Sequence, residues 1–254
     1  MAPVPTNGVI ITGGSSGIGL ALATALLQKP DKQYKLFVTG TRPLKDTDLA
    51  PLSEAADDRV CYSIGDTGDE RVVGQQFREA LAFFGDVPLT GLCLNAGIGG
   101  GRYPLEDFDL ERFDKIMNTN VRGVFLWLKV ALPKLKACTD HPSQIIVTSS
   151  VMGSRPVAQA GPYCASKFAV NGLVLSLRAE LKASGHKHVK CGLICPAGVA
   201  TAWWDDKARG YTADGGKPDT SKFLTPEAVA NACVAMLEQD VSSNVESVMM
   251  DATG

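Results

Sequence analysis

VIITGGSSGIGLALATALL, residues 9–27, passes from three β-branched residues (Val9, Ile10, Ile11) through a knot of Gly and Ser into apolar residues at helical spacing. Such a stretch predicts a buried strand, a tight turn and a helix. Gly13 closes the strand, Gly17 lets the backbone approach something bulky, and Gly19 lets the helix pack closely on the sheet. The first amides of that helix have no intrahelical partner and stand at its positive dipole end, so they suit a pyrophosphate. Ser15, Ser16 and Thr12 add hydroxyls, either for phosphate or to hold the turn. A turn that uses Gly only for backbone freedom would read the same way. The spacing is G-x-x-x-G-x-G, not G-x-G-x-x-G, and the absence of a following Gly-Lys-Ser/Thr excludes a P-loop.

Working outward, the pattern repeats. Residues 35–40, 59–66, 90–97, 144–150, 189–198 and 245–251 are further short apolar runs, most of them apolar on both faces, as strands covered on both sides should be. Segments 18–28, 70–84, 108–136, 161–184 and 225–239 carry apolar residues at helical spacing, while 43–57, with Pro43, Pro51 and several Asp, is less regular. Alternating strands and helices imply a parallel sheet with right-handed crossovers. The predicted fold is α/β: a single Rossmann-type, doubly wound parallel sheet of about seven strands with helices on both faces, over residues 1–254. Residues 199–224, which hold Trp203, Trp204 and several Gly and Asp, are irregular and follow the carboxyl end of a strand. Ligands bind at that edge of such sheets, so the segment is expected to form a substrate lid.

The totals agree with one domain of this kind. A chain of 254 residues, 45% apolar and 20% charged, can build a full core without staples. Its net charge of -2 offers no electrostatic reason to bind nucleic acid or an anionic membrane. Seven scattered cysteines without a C-x-x-C pair predict reduced thiols, and the opening residues MAPVPTNG resemble no signal peptide. The expected location is the cytoplasm. His141, His186 and His188 read as surface-loop residues without ligand-spaced partners, and no metal is expected.

Landmarks in the expected order make the chain similar to the short-chain dehydrogenase/reductase family: TGGSSGIG (12–19), the Gly-Asp ending at Asp66, Asn95-Ala96-Gly97, Asn120 in NTNVRG, Ser149-Ser150, YCASK (163–167) and PAGVAT (196–201). Ala197 stands where Gly is usual. The resemblance implies an oxidoreductase that moves a hydride between a nicotinamide nucleotide and a carbonyl or alcohol. The nucleotide would lie on Gly13, Ser15, Ser16, Gly17, Ile18 and Gly19, on Asp66 (adenine), Asn95, Ala96 and Gly97, and on Tyr163, Lys167, Pro196, Val199 and Thr201. It also implies catalytic roles for Asn120, Ser150, Tyr163 and Lys167, and a homodimer or homotetramer built on helices 108–136 and 161–184.

Tyr163 and Lys167, four apart in a helical segment, share one face. Tyrosine at its ordinary pKa near 10 is a poor base at neutral pH, and a neighbouring ammonium should lower that pKa. Ser150 would donate to the substrate oxygen as it gains charge. Ser149 competes for this role, because strand alternation lets only one of the two face a cleft; family spacing favours Ser150. The resemblance assigns Asn120 a water that links Lys167 to solvent. Trp203 and Trp204, as apt for a pocket wall as for a core, are candidate substrate contacts beside Ser150 and Tyr163, and residues 97–101 (GIGGG) would leave backbone room for substrate.

NAD-using relatives carry an acid at the end of the second strand; here Thr41 stands in that position, Arg42 follows, and no carboxylate lies between Tyr34 and Asp46. A guanidinium suits a 2′-phosphate, so NADP(H) is expected over NAD(H). The alternative, a catalytically lapsed NADP(H)-binding regulator on the same fold, is opposed by the intact Asn120, Ser150, Tyr163 and Lys167. An epimerase or dehydratase is opposed by the short carboxyl-terminal region.

Overall fold

Among the described residues, seven strands alternate with helices along the chain. They are β1 (Asn7–Thr12), α1 (Gly17–Leu27), β2 (Tyr34–Gly40), α2 (Ala50–Ala55), β3 (Val60–Ile64), α3 (Glu70–Phe84) and β4 (Leu89–Leu94), then α4 (Leu110–Met117), α5 (Gly123–Ala137), β5 (Ser143–Thr148), α6 (Gly161–Ala183), β6 (Val189–Pro196), α7 (Pro226–Leu237) and β7 (Ser247–Met250). The structure, a computed structural model, describes residues 6–29, 34–205 and 216–253. Every strand pair is parallel, in the order β3-β2-β1-β4-β5-β6-β7. The order reverses between β1 and β4, so connections leave to opposite sides there and open a crevice at the carboxyl ends of the strands.

Strand alternation builds two cores. Ile10, Phe37, Leu92, Leu94, Ile145, Val147 and Leu193 point to the side covered by α3, α5 and α6. Their neighbours Val9, Ile11, Leu36, Val38, Cys93, Ile146 and Ile194 point to the side covered by α1 and α7. Both faces are therefore dry, which is why the strands read as unbroken apolar runs. Trp127 of α5 is fully buried and donates its indole N–H to Thr67 Oγ1 at 3.0 Å, so its one polar atom is satisfied.

Two regions differ from the sequence-based expectation. The helix expected over 108–136 is interrupted: α4 passes through a π-helical turn (Asn118–Arg122) before α5 begins. Simple periodicity cannot register an extra residue in a turn, and such turns gather where a side chain must be re-aimed; here it is Asn120. Residues 43–57 form a 3-10 turn at Leu44–Asp46 followed by the six-residue α2. Among the described residues, no helix is long and apolar enough to cross a membrane.

Candidate active site

The glycine turn comes first because it shapes one wall. Gly13 and Gly17 have φ of +62° and +54°, values that favour glycine. A Cβ on Gly13 would stand 2.8 Å from Ala96 Cα, and one on Gly19 would stand 2.5 Å from Gly13 O. The first glycine thus lets the turn touch the end of β4, and the third lets α1 fold back onto the turn. A Cβ on Gly17 would face Thr201 at 3.2 Å, across the turn from the segment after β6. α3, α4 and α7 each carry a side-chain cap, from Asp69, Asp109 and Thr225. Ser16, the N-cap of α1, makes none, and no acid lies in the first turn. Donors and dipole are thus left for an anion, which is the fit a dinucleotide pyrophosphate requires.

Of the three hydroxyls at the turn, Thr12 is spent on structure. Its Oγ1 accepts the amides of Asn95 (3.0 Å) and Ala96 (3.1 Å) and is buried, so it holds β4 against β1 rather than facing a phosphate. Asn95 Nδ2 donates to Gly13 O at 3.1 Å, and its Oδ1 accepts from Thr148 Oγ1 at 3.2 Å. Lys167 Nζ in turn donates to Thr148 O at 2.8 Å. One polar chain therefore runs from the glycine turn, through the ends of β4 and β5, to α6. Thr148 was absent from the sequence-derived candidates. Its signal was a threonine closing an apolar strand, as Thr12 closes β1.

Asn120 is buried in the π turn. Its Oδ1 accepts from Ile98 N at 2.8 Å, and Nδ2 donates to Ile98 O (2.9 Å) and Ser166 Oγ (3.0 Å). Both amide protons are committed, so this side chain clamps the chain leaving β4 onto α6. Gly97 lies between Asn120 and Lys167: a Cβ there would be 3.3 Å from Asn120 Oδ1 and 3.7 Å from Lys167 Nζ.

The two serines after β5 separate cleanly. Ser149 Oγ donates to Asn171 Oδ1 of α6 at 2.6 Å. Ser150 Oγ accepts from Met152 N at 3.1 Å and donates to Pro196 O at 3.4 Å, and its hydroxyl lies near enough to the Tyr163 phenol to lower that group's pKa. Lys167 Nζ lies 5.6 Å from the Tyr163 ring centre. Burial pushes the Tyr163 phenol up to about 12, partly opposed by the nearby Ser150 hydroxyl. It pushes the Lys167 ammonium down to about 8. The expectation that Lys167 lowers the Tyr163 pKa is thus corrected for the ligand-free chain, because desolvation is the largest influence on both groups and raises the phenol.

Trp203 and Trp204 part company. Trp203 meets the Tyr163 ring edge-on, centroids 6.1 Å apart, while Trp204 donates its indole N–H to Val199 O at 2.7 Å and packs against Phe223. Val199 pairs with Leu224, so the two ends of segment 199–224 are tied at its neck; residues 206–215 of the expected lid lie outside the described residues. Gly100 leaves no room for substrate, since a Cβ there would meet Ile116 and Phe108 at 2.7 Å. Beyond it the loop is stapled to the one before α6 by Tyr103 N to Gln159 O (3.0 Å) and Arg102 Nη1 to Ala158 O (3.0 Å). Farther along the crevice, Thr41 and Arg42 are exposed at the end of β2. Asp66 is exposed after β3, with Oδ1 accepting Gly68 N at 2.8 Å. Ile18, Pro196 and Thr201 lie along the same edge, after β1 and β6.

A profile of the short chain dehydrogenase family matches residues 7–211. Levodione reductase of Leifsonia aquatica is 29% identical, the alignment covering 97% of this chain and 92% of that protein. Mouse 17-beta-hydroxysteroid dehydrogenase type 1 is 33% identical over 78% of this chain and 55% of its own. Among solved structures, an alcohol dehydrogenase from Thermococcus sibiricus complexed with 5-hydroxy-NADP superposes with a TM-score of 0.81, at 26% identity and 97% coverage of both chains.

Proposed function

Because this chain belongs to the short-chain dehydrogenase/reductase family, we propose that it is an NADP(H)-dependent oxidoreductase that interconverts a ketone or aldehyde and the corresponding alcohol, with Tyr163 as acid and base. The observation that carries this reading is Ser150, Tyr163 and buried Lys167 gathered together, with Lys167 Nζ 5.6 Å from the Tyr163 ring centre, at the same sheet edge as an uncapped helix N-terminus. The residues present fit the nucleotide: Gly13 to Gly19 for the pyrophosphate, Asp66 for the adenine, Asn95 to Gly97, Pro196, Val199 and Thr201 along the crevice, and Thr41 and Arg42 for a 2′-phosphate. When bound, the nicotinamide supplies or accepts the hydride. The protein's own part is the proton. With its pKa up at about 12, Tyr163 stays protonated at neutral pH and is poised to donate to a carbonyl oxygen, while Ser150 offers a second donor to that oxygen. In the alcohol-to-ketone direction Tyr163 must first lose its proton, and a charged Lys167 favours that loss.

NADP(H) is preferred on the grounds that Arg42 forms no ion pair among the described residues and that no carboxylate occupies position 41. One charge-assisted hydrogen bond, at about 1.5–3 kcal/mol, gives a preference of roughly 10- to 150-fold. Trp203 against Tyr163 makes one wall of the substrate site apolar, so the substrate carries an apolar body beside its carbonyl. The described parts of the expected lid, residues 199–205 and 216–224, are proposed to close over that site when nucleotide and substrate bind. Phe125, Phe168 and Leu175, all exposed on α5 and α6, bind a second copy of the chain. A panel of ketones, assayed by loss of NADPH absorbance, tests the reading. Turnover of apolar ketones with NADPH supports it, and equal use of NADH removes the cofactor assignment.

A further inference from the structure

Tyr62 of β3 crosses the end of β2 rather than pointing along its own strand's crevice. Its hydroxyl donates to Arg42 O at 2.8 Å and, like the Ser15 hydroxyl of the glycine turn, flanks Gly40. It gets there because position 40 has no side chain: a Cβ on Gly40 would run into the Tyr62 hydroxyl and lie 2.9 Å from Ser15 Oγ. The residue packs against the core on the α1 side of the sheet. One phenol therefore sits among three segments that meet where β2 ends: β3, the turn after β1, and the Thr41–Arg42 backbone.

Arg42 is exposed, forms no ion pair among the described residues, and sits in an irregular stretch between β2 and the 3-10 turn at Leu44. Nothing on its side chain holds it in place; what holds it is its carbonyl. A long side chain that starts from a fixed backbone loses less entropy on meeting an anion than one on a loose loop. We propose that Tyr62 is a positioning residue for nucleotide selectivity: by holding Arg42 O it aims the Arg42 guanidinium at the 2′-phosphate. This rests on the reading of Arg42 as the 2′-phosphate contact, and it assigns Tyr62 no contact with the nucleotide itself.

Binding constants for NADP+ and NAD+, measured calorimetrically without substrate, test this on the wild type, Arg42→Ala, Tyr62→Phe and the double variant. The Tyr62→Phe change should weaken NADP+ by about five- to tenfold, the scale of one hydrogen bond, and leave NAD+ within about twofold. The double variant should bind NADP+ no more weakly than Arg42→Ala alone, since Tyr62 acts through Arg42. Equal weakening of both nucleotides by Tyr62→Phe, an unchanged ratio, or an additive double variant overturns the inference. If the wild type binds the two nucleotides equally, or Arg42→Ala leaves the ratio unchanged, the reading of Arg42 fails first and the role of Tyr62 falls with it.

Discussion

Replacing Lys167 with Met removes a cation that the fold holds against its preference. Burial lowers its pKa from 10.5 to about 8, and Lys167 itself is 4% exposed. The ligand-free native state therefore holds fewer protons than the unfolded chain between about pH 8 and about pH 10.4, and stability rises with pH across that window. At about 1.36 kcal/mol per pKa unit the penalty at neutral pH is roughly 3 kcal/mol, and about 2 kcal/mol of it is recovered between about pH 7 and about pH 9.5. The upper limit stays below the ordinary tyrosine pKa, so Tyr163, whose raised pKa acts in the opposite sense, contributes little. Absolute stability is the poorer readout. Met also leaves Thr148 O without the bond it now accepts, a cost of about 1–3 kcal/mol that offsets the relief. Urea unfolding of both proteins at the two pH values isolates the titration, because other groups cancel in the difference. The wild type should gain about 2 kcal/mol relative to Lys167→Met on going to the higher pH. Parallel pH profiles would refute the argument and show that Lys167 is not desolvated as the structure has it.

Tyr163→Phe should lower turnover by about 10²–10⁴-fold while nucleotide affinity stays within a few-fold, as steady-state kinetics and calorimetry would show; near-normal turnover contradicts its role. Ser150→Ala should cost about 10²-fold or more in kcat. Ser149→Ala, which strands Asn171 Oδ1, should instead cost about 1–3 kcal/mol of stability and leave kcat within a few-fold. Reversal of that pattern would exchange the two serines. Light scattering should find a dimer or tetramer that Phe125→Asp dissociates; a wild-type monomer argues against the α5 and α6 interface. Hydrogen exchange in residues 199–205 and 216–224 should slow when nucleotide and substrate bind, and high protection without ligand would be inconsistent with a lid.

Periodicity and turn chemistry, both local, determined a good deal. The alternation of strand and helix, the glycine junction at 12–19 and the four-residue spacing of Tyr163 and Lys167 were all legible from the chain, because each depends on neighbours within a turn or two. Even Ser150 over Ser149 followed from strand alternation joined to family spacing. What the tertiary structure alone decided involves partners far apart in sequence. Thr12 serves the amides of β4, Thr148 links Asn95 to Lys167, and Asn120 reaches Ile98 through a π turn that no periodicity marks. Tyr62 finds Arg42 only because Gly40 leaves the way open. The protonation states of Tyr163 and Lys167 belong to the same class. Proximity on a helix suggested attraction between the two, but how much water each loses depends on everything packed around them, and burial is the largest influence on both pKa values.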